Sequence, residues 1–318
     1  MSDVTNAKQV DHQKYRQLIA RAQAFPPART AIAHACDKAA IEGAVEGRRL
    51  KLIEPILVGP EAKIREAAAG FSIEGMEIVD AEHSHDSAAK AVALIREGRA
   101  ELLMKGSLHT DELMGAVVAR ETGLRTARRI SHSFIMDVPD HENALIISDA
   151  AVNIAPSLEV KVDIVQNAID LAHALGVSDV RVAILSAMET VNPNVPSTLE
   201  AAALCKMADR GQIVGAVLDG PLALDNAIDP EAAAIKKISS PVAGKANVLI
   251  VPDLESGNML AKSLSFLAGA DAAGIVMGAR VPIILTSRAD ALLTRVASFA
   301  IALLVTASRR QDPSAAFQ

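Results

Sequence analysis

Apolar residues along this chain fall into short, uninterrupted runs separated by longer mixed stretches. The run 246–251 (ANVLIV) is the clearest. A polar, glycine-containing loop (240–245) leads into it, and it ends abruptly in Pro252-Asp253, then Glu255-Ser256-Gly257-Asn258. An apolar run of this length between turn residues predicts a strand covered on both faces, as in a parallel sheet. Ligands collect outside the carboxyl ends of such strands. The polar cluster holding Asp253, Ser256 and Asn258 is therefore a candidate binding segment.

The same rhythm predicts strands within 50–58 and at 76–79, 102–104, 181–185, 213–218, 274–277 and 281–285. Helices are predicted at 61–69, 87–96, 109–120, 158–175, 197–209, 259–267 and 289–307. The alanine-rich stretch 28–48 lacks Pro and Gly until Gly43 and also reads as a helix. Alternating strands and helices imply an α/β fold with a parallel sheet. One interval breaks the alternation. SHSFIMDVP and ALIISDAAVNI are separated only by Asp140-His141-Glu142-Asn143. So short a connection leaves no room for a crossover helix and makes the two strands antiparallel. A domain boundary is expected just beyond them, near Pro156.

Composition narrows the function. A chain of 318 residues is long enough for two domains, each with a full core. With no Trp, one Tyr, six Phe and a net charge of -6, it suits neither base stacking nor phosphate-backbone binding, so nucleic acid is not expected as a partner. Cys36 and Cys205 read as free thiols of a reducing compartment. The polar N-terminus has no signal-peptide core, and the apolar stretch 296–307 is too short to span a bilayer. A soluble, cytoplasmic protein is expected.

Common catalytic motifs fail. Gly244-Lys245 lacks the remaining phosphate-loop residues and precedes its strand instead of following it. No G-x-G-x-x-G, no zinc-ligand spacing and no G-x-S-x-G elbow is present. The positive signals lie at strand ends. Leu285-Thr286-Ser287-Arg288-Ala289-Asp290 carries a strand into the last helix. Ser287 with Asp290 suits a helix cap, while Arg288 beside free helix amides suits an anion. Lys105-Gly106-Ser107-Leu108-His109-Thr110 repeats that arrangement, bringing a lysine and hydroxyls to a helix start. Arg125, Arg128 and Arg129 precede Ser131-His132; their plain reading is a solvated loop, which is favoured for Arg125. Asp253, Glu255 and Asn258 are equally able to serve only as turn formers and a cap.

Taken together, SPVAGKANVLIVPDLESGN and the later TSRAD resemble the phosphate acetyl/butyryl transferases, or phosphotransacetylases. KGSLHTDEL, GLRTARRISHSFIMDVP and ISDAAVNIAPSLEVKVDI are similar to the same family, so the resemblance spans about 50–307. It implies two three-layer α/β domains around a cleft, of the isocitrate/isopropylmalate dehydrogenase-like type. Residues 1–155 plus 289–318 form the first domain, with the C-terminal helix returning to it, and 156–288 form the second. The implied reaction is reversible transfer of a short acyl group, acetyl or butyryl, between coenzyme A and inorganic phosphate. Arg288 is then the phosphate ligand and Ser287 a donor to the acyl carbonyl. Asp290 becomes an alternative base, or a helper of Arg288, because Thr294 stands where acetyl-specific members carry an acid. Met114 replaces an arginine that acetyl members tend to have. Lys105, His109, Thr110, Arg129, Ser131, Asp253, Ser256 and Asn258 are the implied substrate-binding positions. No metal or redox cofactor is expected, the partners are acyl-CoA and phosphate, and a homodimer is implied. The alternative is a non-catalytic acyl-CoA-binding module of the same fold, serving regulation or oligomerisation.

Overall fold

The computed structural model describes residues 13–139, 141–285 and 291–311. The first part of the chain forms α1 (Gln13–Ala22), β1 (Ala28–Ala33), α2 (Lys38–Arg49), β2 (Ile53–Gly59), α3 (Glu61–Ala67), β3 (Glu77–Asp80), α4 (Ser84–Arg96), β4 (Leu102–Lys105) and α5 (Thr110–Val117). The middle forms β5 (Ser131–Asp137), β6 (Leu145–Ser148), α6 (Leu158–Ala174), β7 (Arg181–Leu185), α7 (Pro196–Asp209) and β8 (Val217–Leu222). Then come α8 (Leu224–Ile228), α9 (Pro230–Ile235), β9 (Val248–Ile250), α10 (Leu254–Leu267), β10 (Asp271–Met277), β11 (Ile283–Ile284) and α11 (Leu292–Gln311).

All these strands join one sheet in the order β3-β2-β1-β4-β11-β10-β5-β6-β9-β7-β8. Pairing is parallel except at β11–β10, β10–β5 and β5–β6. Strands β1 to β5 and β11 therefore run one way, and β6 to β10 run the other. The expected antiparallel pair is β5 and β6, with Phe134 opposite Ile147.

Strand alternation sorts the apolar side chains into layers. On one face, Ile32, Leu57, Met104, Ile275, Ile135, Ile146 and Val248 share a single core with the inward sides of α1, α2, α6 and α11. The other face carries two separate cores. One holds Ala31, Val58, Leu103, Ile283 and Val276 under α4 and α5. The other holds Met136, Ile147, Leu249 and Ala183 with α8 to α10. A seam lies between them, over β11, β10 and β5.

The prediction of helix over 28–48 is corrected: 28–33 is a central strand, paired with both β2 and β4. Pairing on two sides overrides the helix propensity of alanine, whose small side chains suit a strand covered on both faces. The helix begins only after Asp37, whose carboxylate accepts from Ala40 N at 2.8 Å. The strand expected at 213–218 begins at Val217 and runs through Asp219-Gly220-Pro221 to Leu222. α10 begins five residues earlier than the 259–267 expected, capped by Asp253.

Two contacts tie the terminal helices to the sheet. Tyr15 of α1 is fully buried, and its hydroxyl bridges β5 and β10: it lies 2.6 Å from Ile135 O and accepts from Ala273 N at 2.6 Å. α11 packs along α1, α2 and β10. Among the described residues it is the one helix long and apolar enough to cross a membrane, yet 78% of its apolar window is buried inside the protein. Its hydrophobicity is that of a core helix.

Candidate active site

The candidate residues flank the seam, beneath which β4, β11, β10 and β5 lie side by side. β4 and β11 are parallel, with Met104 opposite Ile284. One residue further on, Lys105 and Leu285 are neighbours on the seam face. Val276 pairs with Ile283 on one side and His132 on the other, and Gly274 pairs with Phe134. With strands about 4.8 Å apart, the backbones of Lys105 and Gly274 are roughly 10 Å from each other.

The turn after β4 is held tightly. Gly106 N donates to Ala33 O at 2.9 Å, while Ser107 N and Oγ both donate to His34 O, at 2.9 and 2.8 Å. The fit requires glycine, because a Cβ on Gly106 would lie 2.5 Å from His34 O and 2.6 Å from Ala33 O. His34 itself adopts φ 60, and its Nδ1 is 3.0 Å from Ser87 Oγ. A non-glycine residue in this region at a strand end marks a position that its surroundings over-determine. Neither His34 nor Ser87 stands in the motifs read from the sequence: His34 follows β1, inside the stretch that reads as a helix, and Ser87 is the first residue of the helix expected at 87–96. Lys105 is half-buried, its Nζ 3.2 Å from Leu108 O. His109 caps α5: its amide donates to Glu112 Oε2 at 2.7 Å. The Ser84 hydroxyl, then this amide, hold the Glu112 carboxyl below its ordinary range. Thr110 is the exposed first residue of the helix.

On the opposite sheet edge, beyond the carboxyl ends of β6 and β9, a second group converges. Asp149 is buried and accepts from Ala151 N, Val152 N and Asn153 N at 3.0 to 3.1 Å. Asp253 caps α10, accepting from Ser256 N at 2.8 Å and Ser256 Oγ at 2.6 Å. Burial pushes its carboxyl up, but the Ser256 hydrogen bonds and the charge of Lys161 outweigh that and leave it lowered. Asn258 Nδ2 is 3.4 Å from Ala150 O, which joins this helix to the Asp149 turn.

Arg129 and Ser131 sit at the same edge as Asp253, away from Lys105. Arg129 is exposed, with its amide donating to Asp163 Oδ2 at 2.8 Å. Ser131 is fully buried, and its Oγ accepts from Asn167 of α6 at 2.9 Å. That places Ser131 on the sheet face opposite the seam. Alternation turns its neighbour His132 onto the seam instead. Lys105, His109 and Thr110 thus form one group, Asp253, Ser256 and Asn258 another, and His132 lies between. Ser287, Arg288 and Asp290 lie outside the described residues. Thr294 is buried in α11. Burial raises the Cys36 thiol to about 11 and the Cys205 thiol to about 12, so neither is a poised nucleophile.

An α/β sheet covered on one face and carrying two separate cores on the other, with a lysine and capped helix starts at its strand ends, has candidate ligand-binding groups where open α/β sheets bind their ligands. A family profile described as "Phosphate acetyl/butaryl transferase" matches residues 82–303. The chain is 65% identical to the phosphate acetyltransferase of Rhizobium meliloti over 305 residues, covering 95% of this chain and 96% of that one. It superposes on a phosphotransacetylase from Streptococcus pyogenes with a TM-score of 0.80 at 22% identity, covering 92% of this chain and 99% of the other. The fold extends to 4-hydroxythreonine-4-phosphate dehydrogenase of Klebsiella pneumoniae, with a TM-score of 0.57 at 13% identity and coverage of 88% and 99%. The chain belongs to the phosphate acetyl/butyryl transferase family.

Proposed function

We propose that the protein transfers a short acyl group, acetyl or butyryl, reversibly between coenzyme A and inorganic phosphate. The observation that carries this reading is the parallel pairing of β4 with β11, Met104 opposite Ile284. It sets Lys105 beside Leu285, the last described residue before Thr286-Ser287-Arg288 in the sequence. In this reading Lys105 and Arg288 hold phosphate oxygens, and Ser287 donates to charge developing on the acyl carbonyl. A donor aimed there contributes roughly 3 to 4 kcal/mol. The thiol of coenzyme A, with a free pKa of about 8.5, needs only partial deprotonation beside these cations. Holding both substrates together removes much of the association entropy. Asp290 serves as the base, and Asp253, Ser256 and Asn258 shape the wall beyond His132. Arg129, at the rim, meets the charged end of coenzyme A. The reaction calls for no resident metal or redox cofactor.

The same reading includes a cytoplasmic homodimer. Its support is an apolar stripe on α10, where Met259, Phe266 and Leu267 are 63%, 85% and 86% exposed. Apolar area of that kind on one helix suits an interface. Light scattering of the purified protein tests it: a monomer at micromolar concentration excludes this part. The chemistry is tested by phosphate-dependent release of free coenzyme A from acetyl-, propionyl- and butyryl-CoA. No release from any of them overturns the assignment.

A further inference from the structure

His132 is the least explained polar residue beneath the seam. Only 2% of it is exposed, and its Nδ1 has no hydrogen-bond partner among the described residues. Its ring meets Phe134 edge to face, with centroids 4.5 Å apart. From there it leans diagonally across β10. The position that a Cβ would take on Gly274 lies 2.8 Å from His132 Nε2 and 3.5 Å from Leu285 O. Glycine at 274 thus makes room for the imidazole and leaves Nε2 directed at the end of β11. Asp149, the charged group that acts on the ring, is already satisfied by three backbone amides and the Asn153 side chain.

Leaving a buried polar group unpaired costs about 1 to 3 kcal/mol, so a protein does not bury an imidazole without partners for packing alone. Burial holds the ring neutral, with its pKa down at about 4. A neutral imidazole carries one N–H and one bare nitrogen. The enclosed, unpartnered Nδ1 is better left as the bare nitrogen, which puts the hydrogen on Nε2. We infer that the Nε2–H of His132 is a substrate-binding donor that recognises an oxygen of the acyl phosphate, on the floor between Lys105 and Asn258. Being neutral, the donor polarises that oxygen without surrendering its proton, as fits a group whose work is recognition. The inference rests on the acyl-transfer reading above and adds a binding residue that the Ser-Arg pair does not supply.

The test compares His132→Phe and His132→Gln in the full chain. Phe fills the same space without a donor, and Gln restores an N–H. The expected result is at least a tenfold fall in kcat/KM for phosphorolysis of acetyl-CoA by H132F, and partial recovery in H132Q. The thermal midpoint of H132F should be unchanged or higher, because no internal hydrogen bond is lost. Wild-type kcat/KM in H132F overturns the inference. If H132F does not fold, 15N NMR of the wild-type imidazole decides. The Nε2 resonance should shift on adding acetyl phosphate, and an unmoved resonance under saturating ligand also overturns it. A wild-type protein that releases no coenzyme A sinks the acyl-transfer reading separately, and the NMR titration still decides His132.

Discussion

Replacing Gly106 by alanine probes the turn that delivers Lys105. The new methyl would meet His34 O at 2.5 Å, Ala33 O at 2.6 Å and His34 C at 2.8 Å, all of them backbone atoms. Relieving such contacts means moving one chain away from the other by several tenths of an ångström, and overpacking of this kind costs about 1 to 3 kcal/mol. The same movement stretches the bonds from Gly106 N, Ser107 N and Ser107 Oγ, each worth about 1 kcal/mol net. Partial loss of the three brings the expected destabilisation to about 2 to 4 kcal/mol. Urea unfolding measures it. Coenzyme A release at low temperature, where G106A is still folded, reads the second effect. Displacing Lys105 should lower kcat/KM by more than Ser107→Ala does, which removes the hydroxyl bond to His34 O and leaves the backbone of the turn in place. A G106A protein with the wild-type urea midpoint would refute the packing argument. One with reduced stability but full activity would separate this turn from the chemistry.

Arg288→Ala should abolish acyl phosphate formation while leaving the circular dichroism spectrum intact; full activity would remove its phosphate role. Asp253→Ala should cost about 1 kcal/mol by loss of the α10 cap, with turnover changed less than twofold. A much larger loss of activity would make Asp253 a participant in the reaction. His132 has a folded pKa near 4 against an ordinary 6.5, so between those values the unfolded chain binds the proton that the folded one refuses. Protonation of the unfolded chain therefore adds a destabilising penalty that is absent above pH 6.5 and grows as pH falls toward 4. H132F should show a correspondingly flatter fall in urea midpoint over that window, and equal slopes would contradict a neutral buried His132.

Much of the fold could be read from local pattern because parallel strands buried on both faces are continuous apolar runs. The run at 181–185 coincides with β7, and the four-residue gap before Ala144 marks the antiparallel β5–β6 pair. The same property hides which face a residue takes. In SHSFIMD both faces are buried, so nothing local distinguishes Ser131, under α6, from His132, on the seam. β1 was hidden for a related reason. Its alanines suit a helix when isolated, and only pairing with β2 and β4, which are distant in the chain, makes them a strand. Asp253 reads as a turn former or cap by residue type, but the helix it caps starts at Leu254, earlier than the apolar pattern at 259–267 indicates, whereas the His34–Gly106 interlock joins segments some seventy residues apart and leaves no local signature.

The strand order has a consequence for how this molecule can be made and divided. β10 and β11 are among the last strands synthesised, yet they are inserted between β4 and β5, which emerge more than a hundred residues earlier. Until the C-terminal third has been translated, β4 and β5 present two raw sheet edges, the kind of surface on which chains pair with one another. The nascent protein must therefore hold an incomplete sheet without aggregating. A fragment ending after β6 can never close that sheet unless the missing strands are supplied to it in trans.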